Sequence, residues 1–454
     1  MSTGFWTLDR IAAALADQAV GRLPRGPTQV SVVTTDTRKI QKGNVFVALR
    51  GERFDGHDYL SDAVRDGASA LVVSRVPKLN TLGVPIFEVR DTLIALGALA
   101  HYWRKAWGKT IVAVAGSNGK TSTKDLIKAA LSGAYTVHAT SGNLNNRIGV
   151  PLTLLALPPE AEVAVVEVGT SLPGEVAILR DIAEPDMSLV TSIAEEHLEG
   201  LGDLGGVLRE EVAIYDGVAV GIAPSAQPEI AEVARGKARR LIVAGLESNA
   251  DVKPDRWEIG PEGLGVIEIA GVTVRPPVRG LHNLRNAMLA LAVARECGVS
   301  YEDAAVGIVD VPQPKMRSSW EQVGDVTLIN DAYNANPGST RAAIEFLKGT
   351  GSGRQRVIVL GTMRELGAAS EQCHADIAGL ALASGADIVA GIGEFAPALE
   401  KQDRGDRVIT APDVEDLWPR LQARLQRNAI ILLKASRGVQ LERLVPHLTT
   451  WATA

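Results

Sequence analysis

The chain has 454 residues, 46% of them hydrophobic and 22% charged, with a formal net charge of −6. That length exceeds one ordinary core and predicts two to four domains, while the acidic balance leaves no basic footprint for a nucleic-acid partner. Two cysteines (Cys297 and Cys373), no apolar run near the ~20 residues of a membrane span and no leader-like pattern in the first ten residues predict a cytoplasmic protein.

A first block, to about Trp107, mixes short strands over residues 30–34, 45–49, 70–73 and 86–89 with helices over 59–66 and 92–105. The second block opens with the most informative stretch of the chain. Residues 111–115 are an apolar run that reads as a buried parallel strand. The run breaks at Gly116, and a polar stretch from Lys120 continues as a helix through Leu126, Ile127 and Leu131. Strand, glycine turn and helix start together make an anion site, because backbone N–H groups and the helix dipole both face the turn. Lys120 would reach the β/γ-phosphates of a nucleotide and the Thr121 hydroxyl would hold Mg²⁺. The full P-loop pattern wants a glycine where Val114 stands, so what remains is the shorter Gly116-x-x-Gly119-Lys120-Thr121, and a glycine turn that only joins strand to helix is the competing reading.

Further along, residues 163–168 and 187–192 are continuous apolar runs of parallel-sheet type. A segment with two prolines, 311–315, reads as a linker into a third block. That block alternates again: strands over 326–330, 357–360, 388–393, 408–410 and 430–434, a helix from Ser339 and another around 375–383. The repeated alternation predicts parallel sheets covered on both faces.

In such sheets ligands bind beyond the carboxyl ends of the strands, and the polar clusters fall there. Glu167 ends one strand and is either a second Mg²⁺ ligand beside Thr121 or a solvated strand exit. His197, in Ala-Glu-Glu-His-Leu-Glu, is either a surface residue or a ligand. Asn143, Asn145 and Asn146 make a turn or hold a bound molecule. Asn283 and Asn286 follow Gly280 at a helix start, where capping is the simpler reading. Asp331, Tyr333, Asn334, Asn336 and Pro337 end a strand with more amides than a turn requires. Lys434, Ser436 and Arg437 close the last strand, as a charged exit or as a cationic site for a carboxylate or phosphate.

Together these clusters resemble the Mur ligases, ATP-dependent amide-forming enzymes of peptidoglycan precursor synthesis, nearly end to end. Asp36-Thr37-Arg38, with the Gly43 to Leu49 stretch and Asp55-Gly-His-Asp, is similar to the family's UDP-sugar-binding first domain. Gly116, Ser117, Asn118, Gly119, Lys120, Thr121 and Ser122 match its shortened P-loop. The asparagine run, Glu167-Val-Gly and His197-Leu-Glu-Gly follow in the family's order, and the 331–337 signature resembles the branch that adds a dipeptide. Gly361-Thr-Met-Arg-Glu-Leu-Gly with Ser370 and His374 completes the likeness. Thr362 and Ala435 depart from that branch, which usually has Asp and Gly there. A further departure is Glu211, which stands fourteen residues after His197, where the family commonly carries a carbamylated lysine.

The resemblance implies an α/β protein of three domains: 1–107 binding the UDP-sugar substrate, 108–312 a central P-loop, parallel-sheet ATPase domain, and 313–454 a Rossmann-like domain for the incoming amine. It implies ATP and Mg²⁺, with UDP-MurNAc-tripeptide and D-Ala-D-Ala as small-molecule substrates, no membrane span, and a monomer. Lys120, His197 and Glu211 would carry the chemistry. Thr121, Glu167 and His197 would hold metal, and Asn283 and Asp331 would meet adenine and ribose. Asp36, Thr37, Arg38, Asn143, Asn145, Asn146, Tyr333, Asn334, Asn336 and Arg437 would bind substrates, Arg437 through the dipeptide carboxylate. The alternatives are a relative that adds another amino acid, a folylpolyglutamate synthase, or a non-catalytic nucleotide-binding partner.

Overall fold

Four strands of the first block pair in parallel, in the order Val33–Thr34, Val45–Val47, Ala70–Val73 and Ile86–Glu88. The computed structural model from which this is read describes residues 4–76, 82–312, 315–351, 353–403 and 405–453. The strand expected over 30–34 shrinks to two residues, because the Val30 N–H turns away to the Trp6 carbonyl at 3.0 Å. The helix Thr92–Trp107 starts where Asp91 accepts the Leu93 and Ile94 N–H groups, and it stops at Gly108, whose φ of +67° few other residues adopt. Its Arg104 reaches across to the next block, donating to the carbonyls of Ala183 and Glu184, both at 2.9 Å, and to Asp186 Oδ2 at 3.1 Å. Those carbonyls end the helix Glu175–Ala183, where a cation also meets the negative end of the helix dipole. Gly97 lies so close to Ile182 that an added Cβ would sit 2.8 Å from its Cδ1.

The central sheet has six parallel strands in the spatial order Arg240–Ala244, Val220–Pro224, Met187–Val190, Thr110–Ala115, Val163–Glu167, Val137–Ala139. From Thr110–Ala115 the chain first travels to the Val137–Ala139 edge, returns through Val163–Glu167 and then crosses to the other side. The crevice beyond Ala115 is therefore the topological switch point, the usual ligand site of an open α/β sheet. An antiparallel sheet of Arg256–Ile259, Gly265–Ile269 and Val272–Val274 follows. Sequence periodicity did not reveal it, since the first of these strands is exposed throughout and carries no buried face.

The last sheet runs Ser319–Val323, Val326–Asp331, Ile430–Lys434, Arg356–Leu360, Ile388–Ile392, Val408–Ala411, parallel except for its first, antiparallel pair. Its register sets Lys434 beside both Asp331 and Leu360, so the carboxyl ends of three strands gather at one place. The helix expected from Ser339 begins two residues earlier, at Pro337, because Asn336 and Ser339 form a reciprocal capping box. Of the linker expected over 311–315, Gln313 and Pro314 lie outside the described residues.

Candidate active site

The turn after Thr110–Ala115 needs both of its glycines. Gly116 has φ +115° and Gly119 φ +88°; a Cβ on the first would lie 2.7 Å from the Thr191 nitrogen, and one on the second 2.7 Å from Asn286 Nδ2. The turn is held from the neighbouring strand end: Ser117 N–H donates to the Ser192 carbonyl (2.7 Å) and Thr191 Oγ1 to the Asn118 carbonyl (2.6 Å). It opens into a cavity of about 700 Å³ lined by Ser117, Asn118, Gly119, Lys120, Thr121 and Ser122. Gly116 sits behind that wall. Lys120 folds back so that Nζ donates to the Gly116 carbonyl, 3.9 Å from Glu196 Oε1. Burial works to lower the Lys120 pKa, but the carboxylates of Glu196, Glu211 and Glu167 outweigh it and hold the ammonium above its ordinary value.

Thr121 Oγ1 donates to Glu167 Oε2 at 3.0 Å, and Asn145 Nδ2 to Glu167 Oε1 at 2.9 Å. Glu167 is only 2% exposed, so the solvated strand exit is excluded. A hydroxyl and a carboxylate side by side at a glycine turn suit Mg²⁺, which takes one or two protein oxygens and fills its shell with phosphate and water. No group of three or more His, Cys, Asp or Glu is placed to hold a metal among the described residues. Asn146 Oδ1 accepts the Ile148 and Gly149 N–H groups, so its own amide shapes the turn, while Asn143, Asn145 and Asn146 all line the cavity.

His197 sits at φ +52° and lies between two carboxylates. Its Nδ1 bonds Glu365 Oε2, which comes from the last block, and its Nε2 is 3.9 Å from Glu196 Oε2. Burial would lower the His197 pKa; the bond to Glu365 and the charge of Glu196 reverse this and raise it. His197 in turn holds the Glu365 carboxyl below the ordinary range. Glu196 is buried, its Oε1 has no hydrogen-bond partner among the described residues, and burial pushes its pKa up. Glu196 is absent from the residues expected above; its place directly before His197 at a strand exit is the signal that points to it.

Glu211 ends the helix Leu204–Glu211 and is fully buried, which excludes an exposed helix residue. Its Oε2 accepts the Gly116 N–H at 2.7 Å, so it supports the turn from behind without lining the cavity. Burial, with the charge of Glu196, pushes its pKa to about 7 against the pull of Lys120 and the Gly116 N–H. One 3₁₀ turn further on, Tyr215 Oη donates to the Ile222 carbonyl (2.7 Å) and accepts the Val190 N–H (2.9 Å).

From the last block, Asp331, Tyr333 and Asn334 line the large cavity, as does Asn283 from the central block. Lys434 is buried; its Nζ pairs with Asp331 Oδ2 at 2.7 Å and donates to the Asn334 carbonyl at 2.8 Å. The Arg317 guanidinium lies 4.0 Å over the Tyr333 ring, an arrangement that no sequence pattern announces. Asn118 and Asn336 exchange amide hydrogen bonds of 3.2 and 2.9 Å, joining the turn directly to the cap of the helix Pro337–Lys348. A second cavity of about 180 Å³ adjoins, with Asn336, Arg364, Ser436 and Arg437 in its wall; Glu196, His197 and Asn334 line both. Asp36, Thr37 and Arg38 line neither. There Asp36 caps a 3₁₀ turn and accepts from two nitrogens of Arg38, at 2.8 and 3.0 Å.

Family models match three consecutive stretches: the Mur ligase family catalytic domain over residues 29–104, the Mur ligase middle domain over 114–294, and the Mur ligase glutamate ligase domain over 316–437. The UDP-N-acetylmuramoyl-tripeptide–D-alanyl-D-alanine ligase of Bacillus subtilis is 34% identical, over 97% of this chain and 98% of its own length. That of Escherichia coli is also 34% identical, over 96% and 97%. Among solved structures, MurF from Acinetobacter baumannii superposes with a TM-score of 0.89 at 30% identity, covering 98% of this chain and 99% of that one. MurF ligase from Thermotoga maritima, in complex with ADP, gives 0.83 at 26% identity over 93% and 97%.

Proposed function

The chain belongs to the Mur ligase family of ATP-dependent amide-forming enzymes, and we infer that it is the member that joins D-alanyl-D-alanine to UDP-N-acetylmuramoyl-tripeptide in peptidoglycan precursor synthesis. One observation carries the site-level reading: the two cavities share a wall made by Glu196, His197 and Asn334. A carboxyl activated at the nucleotide in the larger space would face an amine waiting in the smaller one.

The peptide carboxylate attacks the γ-phosphate of ATP, giving an acyl phosphate and ADP. The amine then attacks that carbonyl, and phosphate leaves from the tetrahedral intermediate. Two anions meet in the first step, so the Lys120 ammonium supplies charge at the point of transfer and the glycine turn positions the phosphates. Thr121 and Glu167 would hold Mg²⁺ on the nucleotide, with His197 beside a second ion; bound Mg²⁺ supplies positive charge on the phosphate oxygens. Asn283 and Asp331, both in the wall of the larger cavity, would meet adenine and ribose. Asn143, Asn145, Asn146, Tyr333, Asn334 and Asn336 would border the substrates, and Asp36, Thr37 and Arg38 would belong to the UDP-sugar side. Glu211 contributes its carboxylate unmodified, so turnover needs no bicarbonate.

We divide the chain at 107/108 and 312/313; each matched family stretch falls inside one of the three parts. We take the chain to act as a monomer. Both ATP and UDP-linked precursors are cytoplasmic metabolites, in keeping with a chain whose described residues include no helix long and apolar enough to cross a membrane. The test is amine-dependent phosphate release from purified protein with ATP and UDP-MurNAc-tripeptide. D-Ala-D-Ala should support it far better than L-lysine, meso-diaminopimelate or L-glutamate; a better rate with any of those three overturns the dipeptide assignment.

A further inference from the structure

The smaller cavity is walled by two chemically opposite groups of residues: Glu196, His197 and Glu365, and against them Arg364, Ser436 and Arg437. A small zwitterion fits such a wall, its amine toward the carboxylates and its own carboxylate toward a guanidinium. The two arginines are not equivalent. Arg437 is already engaged: its Nη1 pairs with Glu442 Oε1 at 2.8 Å and touches Met316 Sδ at 3.1 Å. Arg364 makes no ion pair among the described residues, and its guanidinium donates to the Gly438 carbonyl alone, at 3.2 Å.

That guanidinium has a seat. A Cβ on Gly438 would stand 2.4 Å from Arg364 Nη1 and 2.6 Å from Cζ, so the absence of a side chain at 438 is what lets the fork lie there. The backbone beneath is fixed as well. Arg364 N–H donates to Ser436 Oγ at 2.9 Å, and Ser436 Oγ donates to the Ala335 carbonyl at 3.2 Å, which ties together the ends of three strands. The next residue, Glu365, holds a left-handed backbone (φ +66°), a conformation that costs energy for a residue with a side chain and is retained where surroundings enforce it. One turn therefore delivers a free guanidinium and the carboxylate that grips His197 to the same cavity.

We propose that Arg364, seated on Gly438, binds the terminal carboxylate of the incoming amine substrate and makes a free C-terminal carboxylate a requirement. This rests on the ligase reading above. An arginine fork meets a carboxylate through two parallel hydrogen bonds, which gives direction as well as strength, and an amide in place of the carboxylate offers one acceptor and no charge.

The experiment is steady-state phosphate release with D-Ala-D-Ala and with its C-terminal amide, in the wild type, Arg364→Ala, Gly438→Ala and Arg437→Ala. Arg364→Ala should raise the KM for D-Ala-D-Ala roughly 10- to 100-fold, the range a charged hydrogen-bonded contact spans, with the KM for ATP within about twofold of wild type. Its acid-over-amide preference should collapse toward unity. Gly438→Ala keeps every charge and displaces only the end of a flexible side chain, so it should fold normally and shift KM in the same direction by a smaller factor. Retention of the acid-over-amide preference in Arg364→Ala, or its loss in Arg437→Ala instead, overturns the assignment. A wild type that turns over with glutamate or lysine and ignores D-Ala-D-Ala overturns the parent reading, and a wild type with no turnover overturns both.

Discussion

On one side of the central sheet, the helix Thr92–Trp107 is fastened by a buried arginine on two helix-end carbonyls and by a glycine against Ile182. At the carboxyl ends of that sheet's strands, the last block meets the glycine turn through a neutral amide pair, Asn118 with Asn336, and a histidine–carboxylate contact, with both cavities alongside. Opening the first boundary breaks the buried bond from Arg104 to the Ala183 carbonyl and the close packing of Gly97 on Ile182. The second carries polar contacts between flexible side chains beside two open cavities, so relative movement is expected there. Stability is thereby concentrated on a face of the central sheet and chemistry at the carboxyl ends of its strands.

The sharpest test of the catalytic face is Lys120→Ala. It should lose ~3 kcal/mol or more of transition-state stabilisation, a rate loss of roughly a hundredfold or greater, while melting as the wild type does. Wild-type-like phosphate release would remove the P-loop assignment. For the fixed boundary, Arg104→Ala strands the Ala183 and Glu184 carbonyls and should cost about 2–4 kcal/mol of stability. Thermal melting reads this, and kcat at saturating substrates should change little; a mutant that melts normally and turns over slowly would reverse the comparison.

At the movable boundary, Asn118→Ala should cost about 1 kcal/mol, seen as a severalfold slower turnover and as a larger radius of gyration in small-angle scattering of the ATP-bound protein. Unchanged scattering and rate would mean the amide pair does not govern closure. The smallest effect is expected behind the turn. The folded pKa of Glu211, about 7, lies above its ordinary value of 4.5, so the folded state holds this proton more tightly than the unfolded state. Stability contributed by the protonated carboxyl is whole below pH 4.5 and is lost as pH rises toward 7. Glu211→Gln removes that dependence, so its melting temperature should gain on the wild type as pH rises through this window. Activity of the wild type in CO₂-depleted buffer should match that with bicarbonate; rescue by bicarbonate would count against an unmodified Glu211.

The catalytic face was legible because its residues are consecutive. Gly116 to Thr121 and Asp331 to Asn336 each carry their chemistry within one short stretch, and apolar runs marked the strands that present them. What stayed hidden depends on separation. Arg364 reaches Gly438 and Glu365 reaches His197 across the fold, and Arg104 meets Ala183 across a boundary no periodicity reveals. Glu211 was visible only as a position in a count, with nothing in the chain to say that it lies beneath a glycine 95 residues earlier. The antiparallel hairpin sheet escaped because one of its strands buries nothing.

Tyr215 lends the central sheet a rung that the backbone does not make. Its phenol oxygen stands between the Val190 N–H and the Ile222 carbonyl, just past the last paired residues, Leu189 and Ile222. The strand Met187–Val190 is thus spaced from its neighbour where it departs toward Thr191 and Ser192, and those two residues grip the glycine turn from above. Glu211 grips it from below, at the other end of the four-residue 3₁₀ turn Val212–Tyr215. A single short segment therefore connects both grips, so a substitution within Val212–Tyr215 is expected to be felt at the glycine turn although none of its residues touches the cavity.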